Sequence, residues 1–332
     1  MADTELPLVM IWRRTSNLEQ ARAAADKMLS LKLIGAEEDK LMYDAGSVIL
    51  AFWGQNENEE QFAIASEKLV VGGGGATGGI ASNAARFLSV ANQCGGMNLS
   101  RVPLVTNPAL NMRFMMNNVE AGPGAALSNE NDGVGVTPAS DELGKSLPFY
   151  DDDGNLFSVS QFDEDVAASA GDEVGRAMKS IKSSREGESV HLAATTLLVS
   201  NVVKSAEFYR ETLGFKQLGA TNGVATFDVG GSVLRLQPEP TPRTVRSLFR
   251  SGRLNGDWLV FHTKSIADTV KKLQGTGVSF PLEIEESATG QLAYFTDPDG
   301  SSLVLWEPPE KSALPDGYIN FFPVLNRLLS AA

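Results

Sequence analysis

The stretch that most constrains the fold is a strand, a tight turn and a second strand near the end of the chain. Its sequence, YFTDPDGSSLVLWEP, runs from Tyr294 to Pro308. In the turn at 297–300, Asp-Pro-Asp-Gly, proline presets φ, glycine accepts a positive φ and aspartate bonds its own backbone. Aromatic and β-branched residues flank the turn, as the two strands of a hairpin require. The stretch therefore predicts an antiparallel hairpin.

Two segments upstream combine strand and helix patterns. Residues 195–215, TTLLVSNVVKSAEFYRETLGF, begin with a strand-like run, place Asn201 as a helix N-cap and end the helix at Gly214. Residues 257–306 repeat the order of a strand, a helix and three strands. With the DPDG hairpin, this order resembles the βαβββ modules of the vicinal oxygen chelate superfamily, which includes glyoxalase I, extradiol dioxygenases and bleomycin-resistance proteins. The resemblance covers about residues 190–308.

The first half of the chain resembles a divergent copy of the second half. The segment 40–53, KLMYDAGSVILAFW, parallels 225–237, and 150–162, YDDDGNLFSVSQF, parallels 295–307. An internal repeat of this kind predicts paired units that bury their apolar faces on one another. The fold class that the resemblance implies is α+β. We expect two domains, each of paired βαβββ modules that form a cupped, mainly antiparallel sheet with outer helices.

The domain limits follow from the positions of these segments. We expect the two halves to superpose, and the connector to include a short helix over 172–182. The expected limits are 7–162 for a divergent glyoxalase-like domain with an insertion at about 55–103, 163–189 for a connector, 190–308 for a glyoxalase-like domain, and 309–332 for an apolar C-terminal tail.

Composition excludes several classes of function. A net charge of −13 argues against a nucleic-acid partner and against docking on an anionic membrane. The one cysteine, Cys94, excludes an internal disulfide, and no apolar run reaches the roughly 18 residues of a membrane span. Residues 1–10 lack the pattern of a secretory signal. We expect a soluble, acidic protein of the cytoplasm or an organelle interior, with the mature form of a targeted protein left open.

The residues at the superfamily's metal-ligand positions predict a protein without metal or other cofactor. The resemblance implies that His and Glu on the first and last strands of paired modules bind the metal, and the family pattern DPDGNLIEL places a Glu where this chain has Val304. None of the eight matching residues is His, Glu, Asp or Cys, the side chains that usually bind such metals. These residues are Ala194, Arg235, Trp258 and Val304, and, in the first half, Met10, Leu50, Asn111 and Ser158.

Strand parity predicts which side chains line the cup of the C-terminal domain. The candidate ligand-binding residues are Arg235, Trp258, His262 and Val304, which would form an apolar cavity with an anion-binding arginine. A largely apolar ligand with an anionic group near Arg235 is expected. The alternatives are that Arg235 pairs with a protein carboxylate or lies on the outer face of its strand, and that His262 is a core residue. His191 has the opposite parity to Ala194 and is expected to face solvent.

Two segments depart from the superfamily pattern. The glycine-rich run Gly72–Gly79 lacks the Lys-Ser/Thr pair of a phosphate-binding loop and is interpreted as part of a flexible insertion. The tail Tyr318–Leu329 is too apolar to stay in water, so it packs back on a domain, covers a sheet edge or docks on another protein. We expect the tail or the 55–103 insertion to contact a partner chain.

Two functions of different classes remain. In the first, the protein is a metal-free relative of the glyoxalases and bleomycin-resistance proteins that acts by binding a small molecule in its cup, or a protein partner. In the second, it is a metal-dependent lyase, isomerase or dioxygenase with atypical ligands. The missing ligands favour binding over catalysis.

Overall fold

The computed structural model of the protein describes parts of both halves of the chain. The described residues are 6–15, 17–54, 110–116, 139–141, 143–150, 156–163, 172–184, 190–221, 223–238, 257–287, 289–309 and 320–331. The predicted insertion at 55–103, with its glycine-rich run Gly72–Gly79, lies outside the described residues. No helix of the described part is long and apolar enough to cross a membrane.

In the described residues, the first, third and fourth modules have the predicted order of a strand, a helix and three strands. The strands are β1 (Leu8–Thr15), β2 (Lys32–Ala36), β3 (Lys40–Asp44), β4 (Ile49–Gly54), β5 (Leu110–Met116), β6 (Ala139–Asp141), β7 (Gly144–Tyr150), β8 (Leu156–Phe162), β9 (Val190–Val199), β10 (Lys216–Thr221), β11 (Val224–Asp228), β12 (Val233–Pro238), β13 (Trp258–His262), β14 (Glu285–Ser287), β15 (Gly290–Thr296) and β16 (Ser302–Glu307). The helices are α1 (Leu18–Ala23), α2 (Asp172–Ser184), α3 (Val202–Glu207), α4 (Ile266–Gly275) and α5 (Phe321–Ala331).

The local signals in the sequence are confirmed. Asp297 Oδ1 accepts from the backbone of Asp299 at 2.9 Å and of Ser301 at 2.7 Å, which closes the turn of the predicted hairpin. The Asn201 side chain caps α3 by accepting from Lys204 N at 3.1 Å. The helix expected in the connector is α2.

The strands form two mixed, mainly antiparallel sheets of eight strands each. Sheet A has the order β14-β15-β16-β13-β1-β4-β3-β2, and sheet B has the order β10-β11-β12-β9-β5-β8-β7-β6. Within each sheet, two modules meet through the antiparallel pairing of their first strands, β1 with β13 and β5 with β9. The expected fold class, α+β with paired modules in two curled sheets, is confirmed.

The pairing of modules differs from the prediction. We expected 7–162 to form one sheet and 190–308 the other, but each sheet combines one module from each half. Sheet A joins the first module (8–54) to the fourth (258–307), and sheet B joins the second module to the third. The prediction was wrong on this point because all four modules share one pattern of strands, so the pattern does not specify which first strands pair.

The contacts between the two sheets show the internal repeat directly. Leu8 N donates to Val229 O at 2.8 Å, and Leu192 N donates to Ala45 O at 2.8 Å. The two bonds relate the first module to the third with a constant offset, since Leu8 and Leu192 lie as far apart in sequence as Ala45 and Val229. The first and third modules are therefore equivalent by an approximate two-fold symmetry.

The main core lies on one face of both sheets, which we call the outer face. Helices α1, α3 and α4 cover it, and buried residues from both sheets and these helices form one cluster, with Ile11, Phe114 and Phe261 among its members. The opposite faces, which we call the inner faces, carry two separate clusters. Because side chains alternate along a strand, each strand contributes to both faces.

Candidate functional site

The inner face of sheet B, here called cup B, is lined mainly by polar side chains. Three central strands supply them, because β12 and β5 both pair with β9. The polar residues of these strands and of β8 and β11 on this face, by strand parity, are Asn111, Arg113, Ser158, Ser160, His191, Thr196, Thr226, Asp228, Arg235 and Gln237.

Two arginines of cup B are almost completely buried. Arg235 is 3% exposed and lies between Thr226 on β11 and Thr196 on β9. Arg113 is 5% exposed and lies between Ala194 on β9 and Ser158 on β8. Both arginines also have interactions within the chain. Two positive charges therefore lie on one face of the sheet, on strands separated only by β9.

Helix α2 covers the apolar part of cup B. Val174, Met178 and Ile181 are buried on one side of the helix at a spacing of four and three residues, which is one helical face. They form a cluster with the apolar side chains of this face, among them Met115, Ala193, Leu218 and Val233. Cup B thus has an apolar part beneath α2 and a polar part around the arginines.

The inner face of sheet A, here called cup A, is apolar and is filled by the C-terminal helix. Phe321, Val324, Leu325 and Leu328 of α5 are buried in one cluster with the residues of this face. These include Met10, Trp12, Met42, Trp258, Tyr294, Val304 and Trp306. The tail therefore packs back on its own sheet, which was one of the three arrangements considered. Contact of the tail or the insertion with a partner chain stays a prediction.

The four candidate site residues do not lie in one cup. Trp258 and Val304 belong to the cluster of cup A, and His262 has their parity because Leu259 and Phe261 belong to the outer cluster. Arg235 lies in cup B instead. The expectation of one cavity lined by all four was wrong because their modules belong to different sheets. Their roles in ligand binding stay predictions.

The two histidines are both buried. His262 is 9% exposed, and its pKa is lowered by burial and by the neighbouring Lys264, while Glu307 acts in the opposite direction. This matches its alternative as a core residue. His191 was expected to face solvent, but it is buried at the end of β9 where this strand pairs with β5. The expectation was wrong because the register of β9 on β5 shifts between Ala194 and Leu192, which places His191 on the same inner face as Ala194.

The offset between equivalent modules corrects one predicted ligand position. Matching the GSV sequences of the two halves places Leu50 at the position of Arg235. In the structure, Ala45 N donates to Val48 O, and Val229 N donates to Ser232 O in the equivalent turn. Val48 is therefore equivalent to Ser232 and not to Val233. Ala51 is thus the true counterpart of Arg235, and Leu50 lies in the outer cluster. The sequence match was displaced by one residue, so it selected Leu50, whose side chain lies on the opposite face of β4 from Ala51.

The residues at the superfamily's metal positions do not fit a divalent cation. In cup A they are Met10, Ala51, Trp258 and Val304, and in cup B they are Ala194, Arg235, Asn111 and Ser158. Apolar side chains supply no ligand, and two guanidinium groups would repel a cation. Among the described residues, no group of three or more His, Cys, Asp or Glu is placed to hold a metal ion.

Sequence reasoning missed Arg113. It lies in the methionine-rich run NMRFMM at 111–116. Its parity with Asn111, which was already placed at an inner position, is the signal that could have identified it. The Ser158 hydroxyl, 3.4 Å from Asn111 Oδ1, completes a polar patch on this side of the cup.

The two eight-stranded sheets of paired modules define the class of fold. Residues 190–305 match the family model described as the Glyoxalase/Bleomycin resistance protein/Dioxygenase superfamily. This segment carries the superfamily's domain, and the two sheets of paired modules in the described residues fit a tandem arrangement of that domain.

Solved structures share this fold at low sequence identity. A putative dioxygenase from Bacillus subtilis is 12% identical with a TM-score of 0.55, and the match covers 100% of this chain and 97% of that protein. Glyoxalase I from Zea mays is 11% identical with a TM-score of 0.54, covering 98% and 96%. No curated protein matches the chain. At these identities the likeness concerns the fold alone.

Proposed function

We propose that this protein is a metal-free, non-catalytic member of its superfamily that binds a small molecule in cup B. The ligand carries an anionic group, held by Arg235 and Arg113, and an apolar part that lies against the neighbouring aliphatic side chains. The observation that carries the proposal is the burial of both guanidinium groups on one inner face, at 3% and 5% exposure.

Buried charge is the physical reason for this choice. Removing a guanidinium group from water costs several kcal/mol unless anions and hydrogen bonds compensate for it. A guanidinium group has five N–H donors, so it can keep a contact within the chain and still hold a carboxylate or phosphate. The threonines on either side of Arg235 add hydroxyl groups that donate or accept hydrogen bonds.

The other cup supports the choice of cup B. The counterparts of Arg235 and Arg113 in sheet A are Ala51 and Val260, so cup A has no equivalent positive charge. Its inner face is also filled by α5. Metal chemistry has no support at either set of family positions, which leaves binding as the function that the side chains favour.

Ligand-induced stabilisation tests the proposal, with benzoate as the probe because it combines a carboxylate with an apolar ring. Saturable binding should raise the free energy of unfolding by about 2.7 kcal/mol when benzoate exceeds its Kd a hundredfold. Arg235→Met should weaken binding by about ten- to a hundredfold, because a charge-assisted hydrogen bond contributes about 1.5–3 kcal/mol. Arg235→Lys keeps the charge and should have an intermediate effect.

The matched control is Arg210→Met, since the side chain of Arg210 is 50% exposed in a surface ion pair with Glu211. This variant should bind benzoate as the wild type does. Equal stabilisation of Arg235→Met and wild type would refute the site. A stoichiometric iron, manganese, nickel or zinc ion, lost to a chelator together with an enzymatic activity, would refute the metal-free function and establish the enzyme alternative.

A further inference from the structure

The C-terminal helix contacts cup A in the manner of a bound peptide. Its buried side chains Phe321, Val324, Leu325 and Leu328 have the spacing i, i+3, i+4, i+7. This is the spacing by which an amphipathic helix anchors in an apolar groove of another protein. On the opposite side of α5, residues such as Pro323 and Asn326 are exposed.

The groove is complementary to these anchors. Aromatic side chains of cup A surround them, and the Trp306 ring meets the Phe321 ring edge to face at a centroid distance of 5.7 Å. One polar contact orients the helix: Arg327 Nη2 donates to Asp44 Oδ1 at 2.6 Å and to Gly46 O at 2.9 Å. The helix thus has apolar anchors and one charged contact, which together define its position in the groove.

The position of α5 in the chain separates it from the other helices. Helices α1, α3 and α4 lie between strands of their own modules, and α2 continues into β9, so each of these is held by sheet strands at both ends. Helix α5 follows β16, from which residues 308–320 separate it, and its buried side chains belong to the cluster of cup A. Its place on cup A therefore depends on its side-chain contacts.

We propose that cup A is a helix-binding groove whose ligand is the C-terminal segment of this chain. Recognition resides in the four anchors and Arg327, so the groove binds residues 318–332 as a separate peptide whenever the attached helix is displaced. While α5 is in place, it closes cup A to small molecules, and the protein offers one cup to a ligand instead of two.

A full-length variant with two anchors disrupted, Leu325→Asp/Leu328→Asp, provides the test. Its attached helix loses the apolar face, and a fluorescently labelled peptide of residues 318–332 should bind in its place, detected by fluorescence anisotropy. All four tryptophans of the chain contribute to the cluster of cup A, three of them buried and Trp53 partly buried. Tryptophan emission should consequently return to the wild-type spectrum as the peptide binds.

Four controls define specificity. The wild-type chain and the variant Asn326→Ala/Ser330→Ala, whose changes lie on the exposed face, should leave the groove occupied and bind the peptide at least about tenfold more weakly. A labelled peptide with the two Asp substitutions should bind the double variant at least about tenfold more weakly than the native peptide. A peptide with Arg327→Ala should lose less affinity and most of the salt dependence.

Any of the following results would overturn the proposal. If the double variant is folded but does not bind the native peptide, cup A is not a groove for this helix. If it is unfolded and the peptide does not restore the tryptophan emission, α5 is an inseparable part of the core. Equal binding of the native and Asp-substituted peptides, or equal binding by wild type and double variant, would show that the contact is non-specific.

Discussion

Arg13 and Asp257 lie opposite each other where β1 pairs with β13, and they form a buried, bidentate ion pair. Arg13 Nε donates to Asp257 Oδ1 at 2.7 Å, and Nη2 donates to Oδ2 at 2.6 Å. The guanidinium carbon also lies 4.3 Å from the centroid of the Phe157 ring on β8. One side chain therefore connects the first module to the fourth in sheet A and contacts the second module in sheet B.

This ion pair predicts a strong dependence of stability on both partners. Asp257→Ala should lower the free energy of unfolding by about 3–5 kcal/mol, because it leaves a guanidinium charge buried without its carboxylate. Replacing both partners, as in Arg13→Met/Asp257→Leu, should cost less than the single change. Urea unfolding followed by tryptophan fluorescence measures both effects.

The control for this prediction is Glu211→Ala, which removes an ion pair with side chains 50% and 64% exposed. A surface pair of this kind contributes only about 0–1 kcal/mol. If Asp257→Ala destabilised the protein no more than Glu211→Ala does, the buried pair would have no part in joining the modules.

The sequence was sufficient for the local structure but not for the assembly of modules. The DPDG turn and the Asn201 cap were predictable because their hydrogen bonds lie within a few residues. The pairing of β1 with β13 depends on contacts between residues more than two hundred positions apart, such as Arg13 and Asp257. No pattern within a module encodes such a choice.

The candidate site was predicted in part for a similar reason. Parity placed Arg235, Trp258 and Val304 on inner faces, and the structure agrees. Parity does not show which sheet a strand joins, so Arg235 was assigned to the wrong cup. The error at Leu50 arose from the GSV turn, where the sequence match is displaced by one residue from the hydrogen-bonded register.

A second prediction concerns the contact between α3 and the DPDG hairpin. The π-helical turn that continues α3 carries Tyr209, whose hydroxyl donates to Asp297 Oδ2 at 3.0 Å. Burial, followed by the charges of Asp297 and Asp299, raises the pKa of Tyr209 well above its ordinary value of 10.0. Tyr209→Phe should lower the free energy of unfolding by about 1.5–3 kcal/mol, since the acceptor is charged.

The raised pKa also fixes the direction of the pH dependence. The contribution of Tyr209 is fully present below the pKa of the unfolded chain, near 10.0, and it is lost as the pH rises further, because only the unfolded chain then releases the proton readily. Wild-type stability should therefore fall more steeply above that pH than the stability of Tyr209→Phe. Urea unfolding across the alkaline range measures the two slopes, and equal slopes would contradict the assignment.

A third prediction uses two glycines at equivalent places in the second and fourth modules. A Cβ added at Gly144, with φ +113°, would lie 2.3 Å from Gln161 O, and one added at Gly290, with φ +119°, would lie 2.2 Å from Glu307 O. Both contacts are with backbone, so the strand would have to move. Gly290→Ala should destabilise the protein by more than the about 1–2 kcal/mol that a positive φ alone costs.

The control for this prediction is Gly277→Ala, where φ is +92° and no atom lies within 4 Å of the added Cβ. Thermal unfolding should show a clearly larger fall in Tm for Gly144→Ala and Gly290→Ala than for Gly277→Ala. Similar Tm values for all three variants would show that the close approach of the strands at these glycines is not maintained in solution.

The last prediction concerns Val304, where the superfamily pattern has its metal-binding glutamate. Val304 is 0% exposed and lies beneath α5 in the apolar cluster of cup A. Val304→Glu should therefore not restore a metal site but destabilise the fold, by several kcal/mol at neutral pH, because it would bury a carboxylate among the apolar side chains of this cluster. Burial should raise the pKa of the new carboxyl group, so the loss should diminish as the pH falls and the group becomes neutral.

Ser302→Glu provides the matched change on the same strand, at a partly exposed position of β16, and should be nearly neutral. Urea unfolding of both variants at neutral and mildly acidic pH, with and without added zinc, gives the result. Stabilisation of Val304→Glu by zinc would mean that cup A can still assemble a metal site and that α5 leaves it when a cation binds. Unchanged stability with zinc, together with recovery at acidic pH, would identify cup A as a packed apolar interior in which the ligand position has become part of the core.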